Sequence, residues 1–272
     1  MDADHRPGLI FRQASSLANA HIHLTPALPT NSQVTPGAIF IGCSGWAYAT
    51  WKPGFYPAKT PAARMLAYYA SQLNSVEVNF TFRQLPTEKQ LTTWLDAATE
   101  GFRFSFKAPQ AITHLKRLRD CGDALAAFKA ALLPAERASK LGAVLLQLPP
   151  NFRADVERLK AFLEETGRLK MRTAFEFRHE SWFDEATYAA LAQANAALCI
   201  AESDELATPQ RRTADFLCYR LRRSSYSEAD LQDMARRFAR DAEQGDVYAY
   251  FMHEDAPDGP LRARAVLKAL AP

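Results

Sequence analysis

The sequence predicts an α/β chain folded as a (β/α)8, TIM-type barrel with an N-terminal extension, and three observations predict it. Eight short apolar runs recur from residue 38 onward, at roughly 30 residues per unit. Segments of helical period separate them. The first turn, "GCSGW" at 42–46, lacks the GxGxxG spacing of a doubly wound open sheet and reads as a bend. The 272 residues suit one such barrel, over 38–272, behind an extension or linker over 1–37 that ends in "TPALPTNSQVTPG".

The strand candidates in order are "AIFIGCS" (38–44), "SVEVNF" (75–80), "FRFSFK" (102–107) and "AVLLQL" (143–148), followed by "TAFEF" (173–177), "AALCIA" (196–201), "DFLCYRL" (215–221) and "VYAYFM" (247–252). Between them, "TPAARMLAYYASQL" opens with Thr60 as N-cap and Pro61 at the first helical position. "TEKQLTTWLDAA" carries a capping-box pattern in Thr87 and Gln90. "RADVERLKAFLEETG" aligns Val156, Leu159, Phe162 and Leu163 and stops at Gly167. "SEADLQDMARRFARDAEQG" aligns Leu231, Met234 and Phe238 between Ser227 and Gly245. "LATPQRRTAD", after the sixth strand, has room for a helical turn or two. Every crossover is right-handed, so the strands run parallel.

Composition narrows the function classes. The chain is 48% hydrophobic and 23% charged with formal net charge +3, too mild a bias to argue for a nucleic-acid partner. No apolar run reaches the roughly 18 residues that span a bilayer, and "MDADHRPGLIFRQ" does not read as a signal peptide. Cys43, Cys121, Cys199 and Cys218 form no CxxC pair, which suits buried free thiols and a cytoplasmic location. Oligomeric state is not readable.

Side chains on a strand alternate faces, so parity sorts each run into a helix-facing and a lumen-facing set. In "TAFEFR", Phe175 and Phe177 face the helices while Ala174, Glu176 and Arg178 face inward. In the second strand Val76, Val78 and Phe80 go outward, and Glu77, Asn79 and Thr81 go inward. The third sends Phe102, Phe104 and Phe106 outward and Ser105 and Lys107 inward. The fourth turns Gln147 inward, and the seventh Cys218 and Arg220. The inward polar residues gather at the C-terminal strand ends, the mouth where barrel enzymes build their sites. Asp204, just past the sixth strand, is placed to join them.

Several segments together resemble the YecE-like proteins, the family of domain of unknown function 72. They are "IGCSGWAYATWKPGFYP", "VEVNFTFRQLP", "FSFKAPQAITH", "LLQLPP" and "FEFRHESW", within residues 39–270. The resemblance implies a TIM-type barrel and no particular reaction. This chain departs from the family pattern at Phe80 and Arg83, where a small residue and a Tyr are usual. It departs again at "YRLRRSS", which keeps Arg220 without the following His-Gly, and at "FMHEDAPDG" after the last strand. The floor of the mouth looks family-like, and its rim on the last two strands looks altered.

The chemistry available at such a mouth is acid/base work on a small anionic ligand: a polyol, sugar or nucleotide-like compound. Glu176 is the candidate acid/base and Glu77 its counterpart, with an ion-pair network as the alternative for both. Lys107 can polarise a carbonyl, pair with phosphate or, if desolvated, form a Schiff base. Arg178 and Arg220 suit a forked grip on carboxylate or phosphate, with Asn79 and Gln147 beside them. His114 and His179 are candidate proton carriers in mouth-side loops. Trp46, Tyr48, Trp51, Phe55 and Tyr56 in the first loop, with Trp182, form a candidate aromatic wall for a ring. No cofactor is expected. A divalent metal, as in a metal-dependent phosphodiesterase or isomerase, finds no HxH or HExxH pattern and is opposed by the basic groups. Glycosidase carboxylates on strands four and seven are replaced here by Gln147 and Arg220. A non-catalytic protein that captures a small ligand or a nucleic-acid end is the reading from another class.

Overall fold

Alternation along the strands decides which side chains reach the interior, and the computed structural model of the chain follows it. The structure describes residues 36–202, 207–252 and 256–271. The expected extension, save its last two residues, lies outside them, as does Asp204.

Eight parallel strands close a ring in sequence order: β1 (Ile39–Ser44), β2 (Ser75–Val78), β3 (Arg103–Lys107), β4 (Leu141–Gln147), β5 (Thr173–Glu176), β6 (Ala197–Glu202), β7 (Phe216–Leu221) and β8 (Asp246–Phe251). The first and last pair directly, Gly42 opposite Tyr250. Helices α1 (Ala62–Gln72), α2 (Glu88–Asp96), α3 (Gly122–Arg137), α4 (Val156–Arg168), α5 (Glu185–Gln193), α6 (Glu228–Ala242) and α7 (Asp258–Leu270) supply the crossovers and the outer layer.

Two buried apolar clusters result. The larger lies between strands and helices and takes Val76, Val78, Phe104, Phe106, Leu146, Phe175 and Phe177, the outward set. The smaller fills the lumen with Phe40, Leu145, Ala174, Cys199, Phe216, Cys218 and Tyr248 among others, the inward set. Burying each large apolar side chain stabilises the fold by about 1.5–3 kcal/mol, so a register slip that exchanged the faces would be very costly. All four cysteines are buried free thiols.

The lumen is stacked in layers. At its N-terminal end Phe40 stacks on Tyr248 with centroids 5.0 Å apart, and Phe216 meets Tyr248 edge-on. Above them the Tyr250 hydroxyl bonds Ser75 Oγ at 2.8 Å and Ser105 Oγ at 2.7 Å. Ser105 Oγ also accepts the Ala143 amide at 2.9 Å, where the β3–β4 ladder shifts register. Gly42 is required in this crowded region, since a Cβ there would lie 1.8 Å from the Ser75 carbonyl oxygen.

Several boundaries differ from expectation for local reasons. Pro61, extended at ψ 150°, takes the cap position of α1, so the helix starts one residue later than Thr60 and Pro61 predict. Gly167 sits inside α4 and does not end it, because the chain keeps helical hydrogen bonding to Arg168. β2 ends at Val78, and residues 80–82 turn into a short 3-10 helix. That turn leaves Phe80 39% exposed rather than outward on a strand. Residues 207–215 hold no helical turn. The caps at Thr87, Asp155 and Ser227 form, the last as a full capping box with Asp230. No described helix is long and apolar enough to cross a membrane.

Candidate functional site at the barrel mouth

The floor of the mouth is built around one guanidinium. Arg220, inward on β7, is 0% exposed. Its neighbour in register on β6 is Ala201, whose small side chain leaves room for the fork. Nε donates to Glu77 Oε2 at 2.9 Å and Nη2 to Glu77 Oε1 at 2.8 Å. Nη1 donates to Glu176 Oε2, so one side chain joins the carboxylates of β2 and β5 across the lumen. Register supplies the rest of the shell. Ser44 pairs with Glu77 in the β1–β2 ladder and donates to its Oε1 at 2.7 Å. Gln147 pairs with Glu176 in the β4–β5 ladder and donates from Nε2 to both carboxylate oxygens at 2.9 Å. Asn79 Nδ2 donates to Ser44 Oγ, which ties it to the same network.

Glu176, the candidate acid/base, is engaged on both oxygens. Burial raises its carboxyl, but Arg220, Arg222 and the Gln147 amide together outweigh burial and leave it below the ordinary range. It is a carboxylate at neutral pH with its oxygens engaged, which suits charge stabilisation better than proton transfer. Arg220 itself is desolvated, yet Glu176 and Glu77 hold it more firmly protonated than a free arginine.

Two further cations approach from the open side. Arg222, two residues on from Arg220 and of the same parity, has Nη1 3.8 Å from Glu176 Oε1 and a side chain 24% exposed. Arg178 Nε lies 4.0 Å from the same oxygen, with its side chain 37% exposed. Lys107, at the end of β3, differs from all of these. Its Nζ lies 4.4 Å from the centre of the Phe82 ring, and among the described residues it has no ion-pair or hydrogen-bond partner. Thr81 anchors its backbone by donating to the Lys107 carbonyl at 2.6 Å. Burial first, then Arg220, outweigh the pull of Glu77 and Glu176 and lower the ammonium from 10.5 to about 8. His114 meets the same Phe82 ring edge-on, with centroids 5.0 Å apart. It sits on a single π-helical turn, Ala111–Leu115, a feature frequent at functional sites. Burial, Lys107 and Arg178 lower its pKa, so the ring is neutral at pH 7. Its Nδ1 lies 2.9 Å from Thr113 Oγ1.

The aromatic wall is smaller than the sequence suggests. Trp182 is fully buried, stacks on Phe177 at 4.6 Å and donates Nε1–H to the Phe152 carbonyl at 2.7 Å. It is core, as are Trp51, Phe55 and Tyr56. Trp46 and Tyr48 stay half-buried and, with Asn79, Phe80 and Trp94, line a cleft of about 410 Å3 at the rim. His179 caps its own turn, its Nδ1 accepting the Ser181 amide at 3.2 Å, and so contributes to loop structure. No cluster of metal-ligating side chains occurs among the described residues. The two buried glutamates already face Arg220, and a divalent ion would have to displace it.

A family model described as "Protein of unknown function DUF72" matches residues 40–272. The chain belongs to the DUF72 family. Every strand end of the Arg220 cluster lies inside that match. The "UPF0759 protein YunF" of Bacillus subtilis strain 168 is 31% identical over 157 residues, 55% of this chain and 54% of that protein. The "UPF0759 protein YecE" of Escherichia coli K12 is 33% identical over 114 residues, 42% of this chain and 39% of that protein. The chain thus matches about half the length of these relatives or less. Among solved structures, a DUF72 family protein from Thermotoga maritima MSB8 superposes with a TM-score of 0.70 at 22% identity, over 86% of this chain and 99% of the other. One from Enterococcus faecalis V583 gives 0.72 at 19%, over 85% and 95%. At these identities the likeness speaks for the shared DUF72 barrel.

Two members of the cluster escape a first reading of the sequence, Arg222 and Ser44. Parity carries the signal for both. Arg222 continues the inward series of Cys218 and Arg220, and Ser44 is the last inward residue of β1.

Proposed function

We propose that the mouth is the active site of an enzyme that acts on a small anionic polyol, sugar or nucleotide-like compound by acid/base chemistry. One observation carries this reading. Among the described residues, Lys107, Arg178, Arg220 and Arg222 confront two carboxylates, Glu77 and Glu176, and Arg220 engages both. The surplus positive charge lies on the open side, where Arg178 and Arg222 are partly exposed. A phosphate or carboxylate seated there gains charge-assisted bonds from planar forks. In this reading Lys107 carries the proton, neutral His114 is its partner, and Glu77 and Glu176 hold the electrostatic floor. The half-buried Trp46 and Tyr48 offer a surface for the uncharged part of the ligand.

The test is a thermal-shift screen of the whole chain against phosphorylated and carboxylated metabolites. A ligand at about 100 times its Kd stabilises by about 2.7 kcal/mol, or about 5–11 °C in a chain of this size. The expected result is a rise with anions that fades with salt and is lost in an Arg178→Gln/Arg222→Gln double variant. No response, or the same response in the double variant, contradicts the proposal. Binding that survives Lys107→Met, with no turnover of any bound compound by the wild type, would leave a capture protein in place of an enzyme.

A further inference from the structure

We propose that Lys107 is a nucleophile that forms a Schiff base with a small carbonyl compound carrying a carboxylate or phosphate close to its carbonyl carbon, a 2-oxo acid or a phosphorylated aldehyde or ketone. This deepens the anion-site reading and rests on it.

Among the described residues the geometry isolates this amine. Glu77 and Glu176, the carboxylates of the floor, both turn to Arg220, so neither takes a proton-holding bond from Nζ. A partly buried ammonium without an oxygen partner is the costly form of the side chain, and neighbouring cations raise that cost. Phe82 covers one side of Nζ. Arg178 and Arg222 stand on the open side of Glu176, placed to hold the oxyanion of the incoming compound. A lysine that is desolvated beside other cations is the recognised setting for imine chemistry.

The step balances with these groups and one proton from water. The lone pair of neutral Nζ adds to the carbonyl carbon, and the π pair of the C=O bond moves to oxygen, which takes a proton from water. The added nitrogen passes a proton to neutral His114, which meets the same Phe82 ring. His114 returns that proton to the carbinolamine hydroxyl, which leaves as water while the nitrogen lone pair forms the protonated C=N bond. That iminium is an electron sink for breaking a bond to the adjacent carbon, and water reverses the linkage to release product. No oxidant or reductant takes part.

The experiment uses the full chain with glyoxylate and with glycolaldehyde phosphate as probes, propanal as the uncharged control, and borohydride to trap the imine as a secondary amine. At pH 7 about one Lys107 in ten carries a free lone pair, against about one in three thousand for an ordinary lysine. The expected result is one adduct per chain, mapped to Lys107 and absent in Lys107→Arg. Both anionic probes should be trapped roughly tenfold or more faster than at any other lysine, and faster than propanal. Inorganic phosphate should compete, and the Arg178→Gln/Arg222→Gln double variant should erase the preference for the anionic probes. The peptide map of the wild type decides without any variant. Adducts spread evenly over surface lysines, while phosphate still raises the melting temperature, overturn the imine and leave the anion site standing. Even labelling together with no response to phosphate overturns both.

Discussion

Replacing Arg220 by methionine tests the floor of the mouth. The change keeps much of the side-chain volume and removes three N–H donors to two buried carboxylates. Glu176 keeps the Gln147 amide and the more distant Arg178 and Arg222, whereas Glu77 keeps, among the described residues, the Ser44 hydroxyl. Stranding a buried charge in this way costs about 3–5 kcal/mol. For a chain of this size that lowers the melting temperature by about 6–20 °C at pH 7. The pH dependence fixes the cause. In the wild type the Glu176 carboxyl is depressed, so its stabilising contribution is complete above the unfolded-state value of about 4.3 and is lost as pH falls through the lower folded value. In the variant burial dominates at Glu176 and raises its folded carboxyl above the unfolded value. The penalty is then present at neutral pH and relieved as the medium is acidified and the carboxyl protonates. Thermal melts of both proteins between pH 4 and pH 8 should show curves far apart at pH 7 and converging toward about pH 4. A variant within about 1 kcal/mol of wild type at pH 7, or a gap that does not change with pH, would show that Arg220 does not hold the two carboxylates.

Other expectations follow from the same geometry. Burial and then Arg220 set most of the fall in the Lys107 ammonium and Arg222 adds a smaller push, so Arg222→Gln should raise it slightly and modestly slow reductive alkylation of Lys107 at pH 7, read by peptide mapping across a pH series. Trp182→Ala should cost about 3–5 kcal/mol, because it empties a fully buried site and orphans the Phe152 carbonyl. Its anion-induced rise in melting temperature should stay that of the wild type, since Trp182 is core and not binding wall; a selective loss of that rise would restore it to the site.

The barrel was legible because strand periodicity is a local property. Alternation in "TAFEF" and "FRFSFK" separates Phe175 and Phe106 from Glu176 and Lys107 without knowledge of any neighbour, and the two buried clusters repeat that separation. The convergence of Glu77, Lys107, Gln147, Glu176 and Arg220 follows once parallel strands close a ring. What parity does not contain is which charges pair. Glu77 and Arg220 are 143 residues apart, and only the cross-lumen distance tells an acid/base carboxylate from one locked by a guanidinium. The aromatics failed for a similar reason. Trp46 and Trp182 follow strand ends alike, and loop packing alone leaves one half-buried and puts the other under Phe177. β2 ends before Phe80 because Asn79 turns into αR backbone at ψ −15°, which apolar patterning at Phe80 cannot report.

In the proposed reading the open side of the mouth holds, among the described residues, a surplus of positive charge that receives an anion. A crystal structure of the full chain with saturating inorganic phosphate tests it most directly. An ordered phosphate is expected within hydrogen-bond distance of Arg178 and Arg222 and in reach of Lys107, with the Arg220 fork undisturbed below it. Phosphate ordered only elsewhere on the surface, with those three side chains unliganded, would contradict it.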